Sequence, residues 1–129
     1  MFVSVRAGAG GRVIAARAGA GGFLQTVTYG YPGLRVSRGG LAVRPQLPEG
    51  AALVRLRAIF WRGVAFDLVY DGVNASFSLS DAAAQARAAD RRAAPGLLLS
   101  DATTGRVYAL STTPVAVPVG DALTITAAP

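Results

Sequence analysis

Apolar and polar positions alternate most regularly in the middle of the chain. In "LVRLRAIFWRGVAFDLVY", Leu53 to Tyr70, the residues Val54, Leu56, Ala58 and Phe60 fall on one side of an extended backbone, with Arg55, Arg57 and Ile59 on the other. Period-two alternation sets one face of a strand against a core and the other against water. The tight segment Trp61, Arg62, Gly63 then turns the chain, and Phe66, Leu68 and Tyr70 return on one face, so the stretch reads as a β-hairpin. Phe60, Phe66, Leu68 and Tyr70 are its expected core seam. "DGVNASFSLS" adds a third strand after Asp71-Gly72, a dipeptide typical of tight hairpin turns.

The pattern is weaker on either side. Residues 1–22 are rich in Gly, Ala and Arg with little periodicity. Phe23, Leu24, Val27 and Tyr31 then share the spacing of a short amphipathic helix that follows Gly21 and Gly22, and "YPG" at Tyr31 to Gly33 ends it, because proline lacks the N–H a helix needs. "LRVSRGGLAVRP" gives two short extended pieces around Gly39 and Gly40, with Pro45 and Pro48 in a loop. "AAAQARAADRRAA" has helix-forming composition but almost nothing large to bury, which suits a loose helix or a surface loop equally. The stretch from Gly96 to Thr126 supplies three or four more short strands between Gly, Asp, Thr and Pro. Turn signals this closely spaced favour a sandwich or barrel over a doubly wound sheet.

Composition narrows the chemistry. The chain has 129 residues, the length of one domain, and is 52% hydrophobic. No uncharged apolar stretch approaches the ~20 residues of a membrane-spanning helix. The amino end lacks a basic leader joined to an unbroken apolar run, so no signal peptide is expected. All 13 basic residues are Arg, and that uniformity reads as coding preference, which discounts the formal charge of +6 as a sign of nucleic-acid binding. With no Cys and no His, thiolate metal sites, disulfides and the commonest general base are excluded. No cofactor or metal is expected.

The tempting motifs fail individually. The Gly-rich stretches from Gly8 and Gly19 miss the sixth-position glycine of a dinucleotide fingerprint, being Val13 and Leu24 there, and the first carboxylate in the chain is Glu49. A Walker-type loop has no Lys to use. Asp67 and Asp71 are the nearest carboxylate pair in sequence, but one lies on the outward face of the hairpin and the other in its turn, so structural roles are expected over glycosidic chemistry. Arg55, Arg57 and Arg62 beside Trp61 form a basic stripe that outward strand positions also explain, and no nucleic-acid motif accompanies it. Asn74-Ala75-Ser76 is a glycosylation triplet of a kind common by chance.

Taken in order, "AGAGGFLQTVTYGYPGLRV", "GGLAVRPQLPEG", "VRLRAIFWRGVAFDLVYDG" and "TGRVYALSTTPVAVPVG" resemble the carboxyl end of glycoside hydrolase family 65 and its acid trehalase-like relatives, including the protein-glucosylgalactosylhydroxylysine glucosidases. The resemblance runs from about Ala18 to Thr126 and is most specific in the succession of GGFLQ, an aromatic-Gly pair, GLR, a P-x-LP loop and the Trp61-Arg62-Gly63 turn. It implies a mainly β fold: a small two-layer antiparallel β-sandwich over residues 31–129, preceded within 1–30 by one helix resembling the last helix of an (α/α)6 barrel. Gly21, Gly22, Phe23, Leu24 and Gln25 would then face that barrel. The family's general acid, a Glu upstream of GGFLQ, has no counterpart in this chain. Nor does the His that phosphorolytic members carry near Ala16, while Phe23-Leu24 looks more like the hydrolytic branch. "IAARAG", Ile14 to Gly19, departs from the Asn-aromatic-Leu-Thr approach of hydrolytic relatives.

The resemblance therefore implies an accessory β-domain that braces an upstream (α/α)6 catalytic domain, reaches α-glucoside sugars only through it, and is not catalytic alone. No nucleic-acid or membrane partner is expected. The other reading is a free-standing β module that binds carbohydrate or acidic partners through Trp61, Tyr70 and nearby Arg residues.

Overall fold

The computed structural model describes residues 2–7, 13–17, 30–81, 96–120 and 122–129. Among them the chain forms eleven strands, in order β1 (Phe2–Ala7), β2 (Val13–Arg17), β3 (Arg35–Ser37), β4 (Gly40–Val43), β5 (Ala51–Trp61), β6 (Val64–Tyr70), β7 (Asn74–Leu79), β8 (Leu97–Asp101), β9 (Arg106–Ala109), β10 (Val115–Pro118) and β11 (Leu123–Ala127). They build two antiparallel sheets, one ordered β10-β7-β6-β5-β1-β2 and the other β3-β4-β11-β8-β9.

Alternation makes the core. Val54, Leu56, Phe66, Leu68, Tyr70 and Phe77 point inward from the first sheet, each at 1% exposure or less. Leu41, Val43, Leu97, Leu99, Leu123 and Ile125 do the same from the second sheet, and the two sets form one continuous apolar cluster. Two sheets sharing one cluster are a β-sandwich, each sheet hiding the face that the other would leave wet.

The expected seam is right in β6 and wrong at the end of β5. Phe60 is 74% exposed, whereas Ile59 is 6% exposed and points inward. The cause is a β-bulge. Leu56 pairs with Leu68 and Ile59 with Phe66, so two residues, Arg57 and Ala58, oppose the single residue Asp67. Ala58 takes a left-handed φ of 55°. An inserted residue inverts the side-chain sense of everything after it. Asp67 secures the insertion: its Oδ1 accepts the Ala58 N–H at 2.8 Å, and Arg57 Nε lies 3.5 Å from Oδ2.

A helix forms no part of the described fold. The segment on which it was expected, with Gly21, Gly22, Phe23, Leu24 and Gln25, falls at residues 18–29, outside the described residues, as does the Ala/Arg-rich segment at 82–94. Tyr31 belongs to the loop that leads into β3, where its carbonyl accepts the Gln46 N–H at 2.6 Å. The first sheet reaches across residue 30 in sequence, because β1 pairs with β5 from Phe2 opposite Arg57 to Ala7 opposite Ala51.

The connection after β6 is a tight turn, as the Asp71-Gly72 dipeptide suggested, and β7 follows it as the third strand. Asp71 and Asn74 close it, the Asp71 N–H donating to the Asn74 carbonyl at 3.0 Å, so Gly72 and Val73 are the central pair and Asp71 precedes them. Its carboxylate accepts the N–H groups of Val73 at 2.7 Å and Asn74 at 2.8 Å. A short acidic side chain bonded to the backbone just ahead of it stabilises the turn.

Candidate functional site

Three chain segments converge at one end of the sandwich. The β3–β4 turn supplies Arg38, Gly39 and Gly40, the β5–β6 turn supplies Arg62, and the end of β11 supplies Thr126 and Ala127, together lining a cavity of about 190 Å³. Each sheet contributes one hairpin. The cavity therefore depends on the sandwich being assembled.

Both turns are two-residue loops of the same composition. Ser37 pairs with Gly40 across Arg38-Gly39, and Trp61 pairs with Val64 across Arg62-Gly63. Arg62 and Gly63 both have positive φ, 48° and 81°, the combination that matches the twist of a hairpin. Asn, Asp or Gly is the usual first residue there, and a left-handed L-residue costs about 1 to 2 kcal/mol. Arg62 is a poor choice for the turn itself. Its guanidinium carbon stands 5.7 Å from the centroid of the Trp61 ring, a cation–π contact that fixes the charge at the rim. Gly40 lets the other turn close on β11: at φ 145°, a Cβ there would lie 2.5 Å from the Ile125 carbonyl oxygen.

The electrostatics of the lining have one sign. Two arginines, Arg38 and Arg62, both exposed to solvent, are among its lining residues, and no Asp or Glu is. The described carboxylates with resolved partners are engaged elsewhere. Asp67 holds the bulge, Asp71 holds its turn, and Asp101, 2% exposed, accepts the Thr103 N–H at 2.8 Å and the Thr104 hydroxyl at 2.5 Å. Hydrogen bonds from the Asn74 and Val73 amides hold the Asp71 carboxyl below its usual range. Among the described residues no three Asp, Glu, His or Cys side chains gather into a metal site, and no helix is long and apolar enough to cross a membrane.

The structure sorts the residues singled out in the sequence. Trp61 ends β5, half-buried against the core, with an indole N–H that is buried and has no hydrogen-bond partner. Arg62 reaches the cavity, Arg57 faces Asp67, and Arg55 lies exposed on the outward face of β5. Tyr70 cannot serve as a sugar platform: it is 1% exposed and its hydroxyl has no partner. Burial, with Tyr31 nearby, drives its phenol well above the ordinary range. The sequence reading missed Arg38 and Thr126. The repeated Arg-Gly dipeptide at two hairpin turns was the available signal.

Comparison with known proteins gives a partial likeness. No protein-family model matches the chain, and no solved structure matches it significantly. The protein-glucosylgalactosylhydroxylysine glucosidase of Dictyostelium discoideum is 37% identical to it over 61 residues, covering 47% of this chain and 9% of that protein. The chain is thus distantly related to a glycoside hydrolase, and the match spans under a tenth of its relative's length.

Proposed function

We propose that this chain is a carboxyl-terminal accessory β-domain of a family 65-like glycoside hydrolase, of α-glucosidase or trehalase type. It braces an (α/α)6 catalytic domain and does not hydrolyse glycosides alone. The observation that carries the reading is the 61-residue similarity to the glucosidase of Dictyostelium discoideum. A two-layer β fold in which Asp67, Asp71 and Asp101 serve turns and a bulge supports an accessory role, since glycoside hydrolysis needs two carboxyl groups flanking the scissile bond. On this reading the sandwich covers apolar surface of the catalytic domain, and α-glucosides meet only the latter.

The test is the reading frame upstream of residue 1. An in-frame catalytic domain whose glucosidase activity and melting temperature both fall when residues 31–129 are deleted supports the proposal. An upstream frame that encodes no such domain, or glucose release from α-glucosides by the purified 129-residue chain alone, overturns it.

A further inference from the structure

We propose that the cavity between the two Arg-Gly turns binds a small oxyanion, either free or as the terminal carboxylate or phosphate of a larger molecule. This inference stands apart from the accessory-domain reading.

The argument rests on what lines the space and what does not. Arg38 and Arg62 come from different sheets and face one cavity of about 190 Å³, with no carboxylate in its wall. Neither has an ion-pair partner among the described residues, whereas Arg57 on the same hairpin is paired with Asp67. Two positive residues beside one cavity give an anion there a favourable potential, screened by salt because both are exposed. A guanidinium presents a planar fork of donors that matches the oxygens of carboxylate and phosphate. The remaining wall is small: Gly39, Gly40, Thr126 and Ala127 leave room for the anion, and threonine offers a hydroxyl. The backbone adds an independent point. Arg62 occupies a left-handed turn position that Asn or Gly fills more easily, so the turn does not account for it, and an anion-facing role does.

The chain contains a single tryptophan, and Arg62 stands over its ring, so Trp61 fluorescence reports directly on the site. The intact chain is titrated at constant ionic strength with inorganic phosphate and, separately, with acetate, chloride serving as the control. A saturable change in Trp61 emission with phosphate or acetate, absent with chloride, is expected, and the more effective anion identifies the oxyanion chemistry. Arg38→Gln, which leaves the tryptophan contact alone, raises the half-saturating concentration at least about tenfold, since a hydrogen bond to a charged group typically contributes that much. Arg62→Asn keeps a residue suited to the turn and abolishes the heat of binding seen by calorimetry, while Arg55→Gln titrates like the parent. A response that does not saturate, that chloride reproduces, or that is unchanged in Arg38→Gln overturns the proposal.

Discussion

Replacing Phe66 and Phe60 separately by alanine tests the central structural feature, the bulge that decides which aromatic of the hairpin is inside. Phe66 has 0% exposure and sits where β5, β6 and β7 meet, opposite Ile59 on one side and Leu79 on the other. Emptying such a site costs about 3 to 5 kcal/mol, the lost transfer free energy plus the cavity left behind. In a domain of this size each kcal/mol moves the melting temperature by roughly 3 to 6 °C, so Phe66→Ala should lower it by roughly 9 to 30 °C. Phe60 is 74% exposed, and removal of a surface side chain is worth within about 0.5 kcal/mol. Ile59→Ala, at a residue 6% exposed, should cost about 2 to 5 kcal/mol. Urea titrations followed by circular dichroism measure all three, with the slope checked for constancy so that the midpoint reports stability. If Phe60→Ala costs as much as Phe66→Ala while Ile59→Ala is silent, alternation continues unbroken along β5, and the bulge with its Asp67 contact is refuted.

Gly40→Ala should destabilise by about 1 to 3 kcal/mol, because its Cβ would collide with the Ile125 carbonyl oxygen at a positive φ; an unchanged melting temperature would mean that β4 and β11 do not approach so closely. Asp71 has a folded pKa below its unfolded value, so its contribution is present above the ordinary Asp range near ~3.9 and is lost as pH falls through the folded value. Asp71→Ala should therefore lose less stability than the parent on acidification, which thermal melts across an acid series will show. Tyr70 shifts the opposite way, its phenol raised by burial and then by Tyr31, so the parent loses stability as pH rises above the ordinary tyrosine range near ~10. Tyr70→Phe removes a hydroxyl that has no partner; it should be neutral or stabilising at neutral pH and should flatten that alkaline loss in melts above pH ~10.

Strand β6 was legible because each inward residue is large and each outward one differs from it: Phe66, Leu68 and Tyr70 set against Asp67 and Val69. Strand β5 has the same alternation and still misleads, since nothing near Ala58 marks it as left-handed. The determinant is Asp67, on the neighbouring strand, whose carboxylate receives the Ala58 amide. A local pattern cannot report a constraint imposed across the sheet. At the amino end the difficulty is the reverse. "FVSVRA" and "VIAAR" lie in a Gly/Ala/Arg-rich stretch with little periodicity, and pairing with the long β5 gives β1 its place.

The site divides along the same line. The chemistry excluded by composition was fully readable, because a chain without His or Cys needs no coordinates to rule out their uses. The carboxylates were half readable: a structural role for Asp71 follows from its turn, but that Asp67 is tied to a bulge amide appears only in the folded hairpin. Arg62 was picked out beside Trp61, whereas Arg38 lies 24 positions earlier in a turn of the other sheet, and only the packing of the two sheets brings both to one cavity. The asymmetry has a physical origin. The carboxylates with resolved partners are held by backbone amides nearby in the chain or on the adjacent strand, which fixes their position. Among the described residues the two cavity arginines have no ion-pair partner. If the proposed oxyanion site is real, the Arg38→Gln titration separates it from mere surface charge.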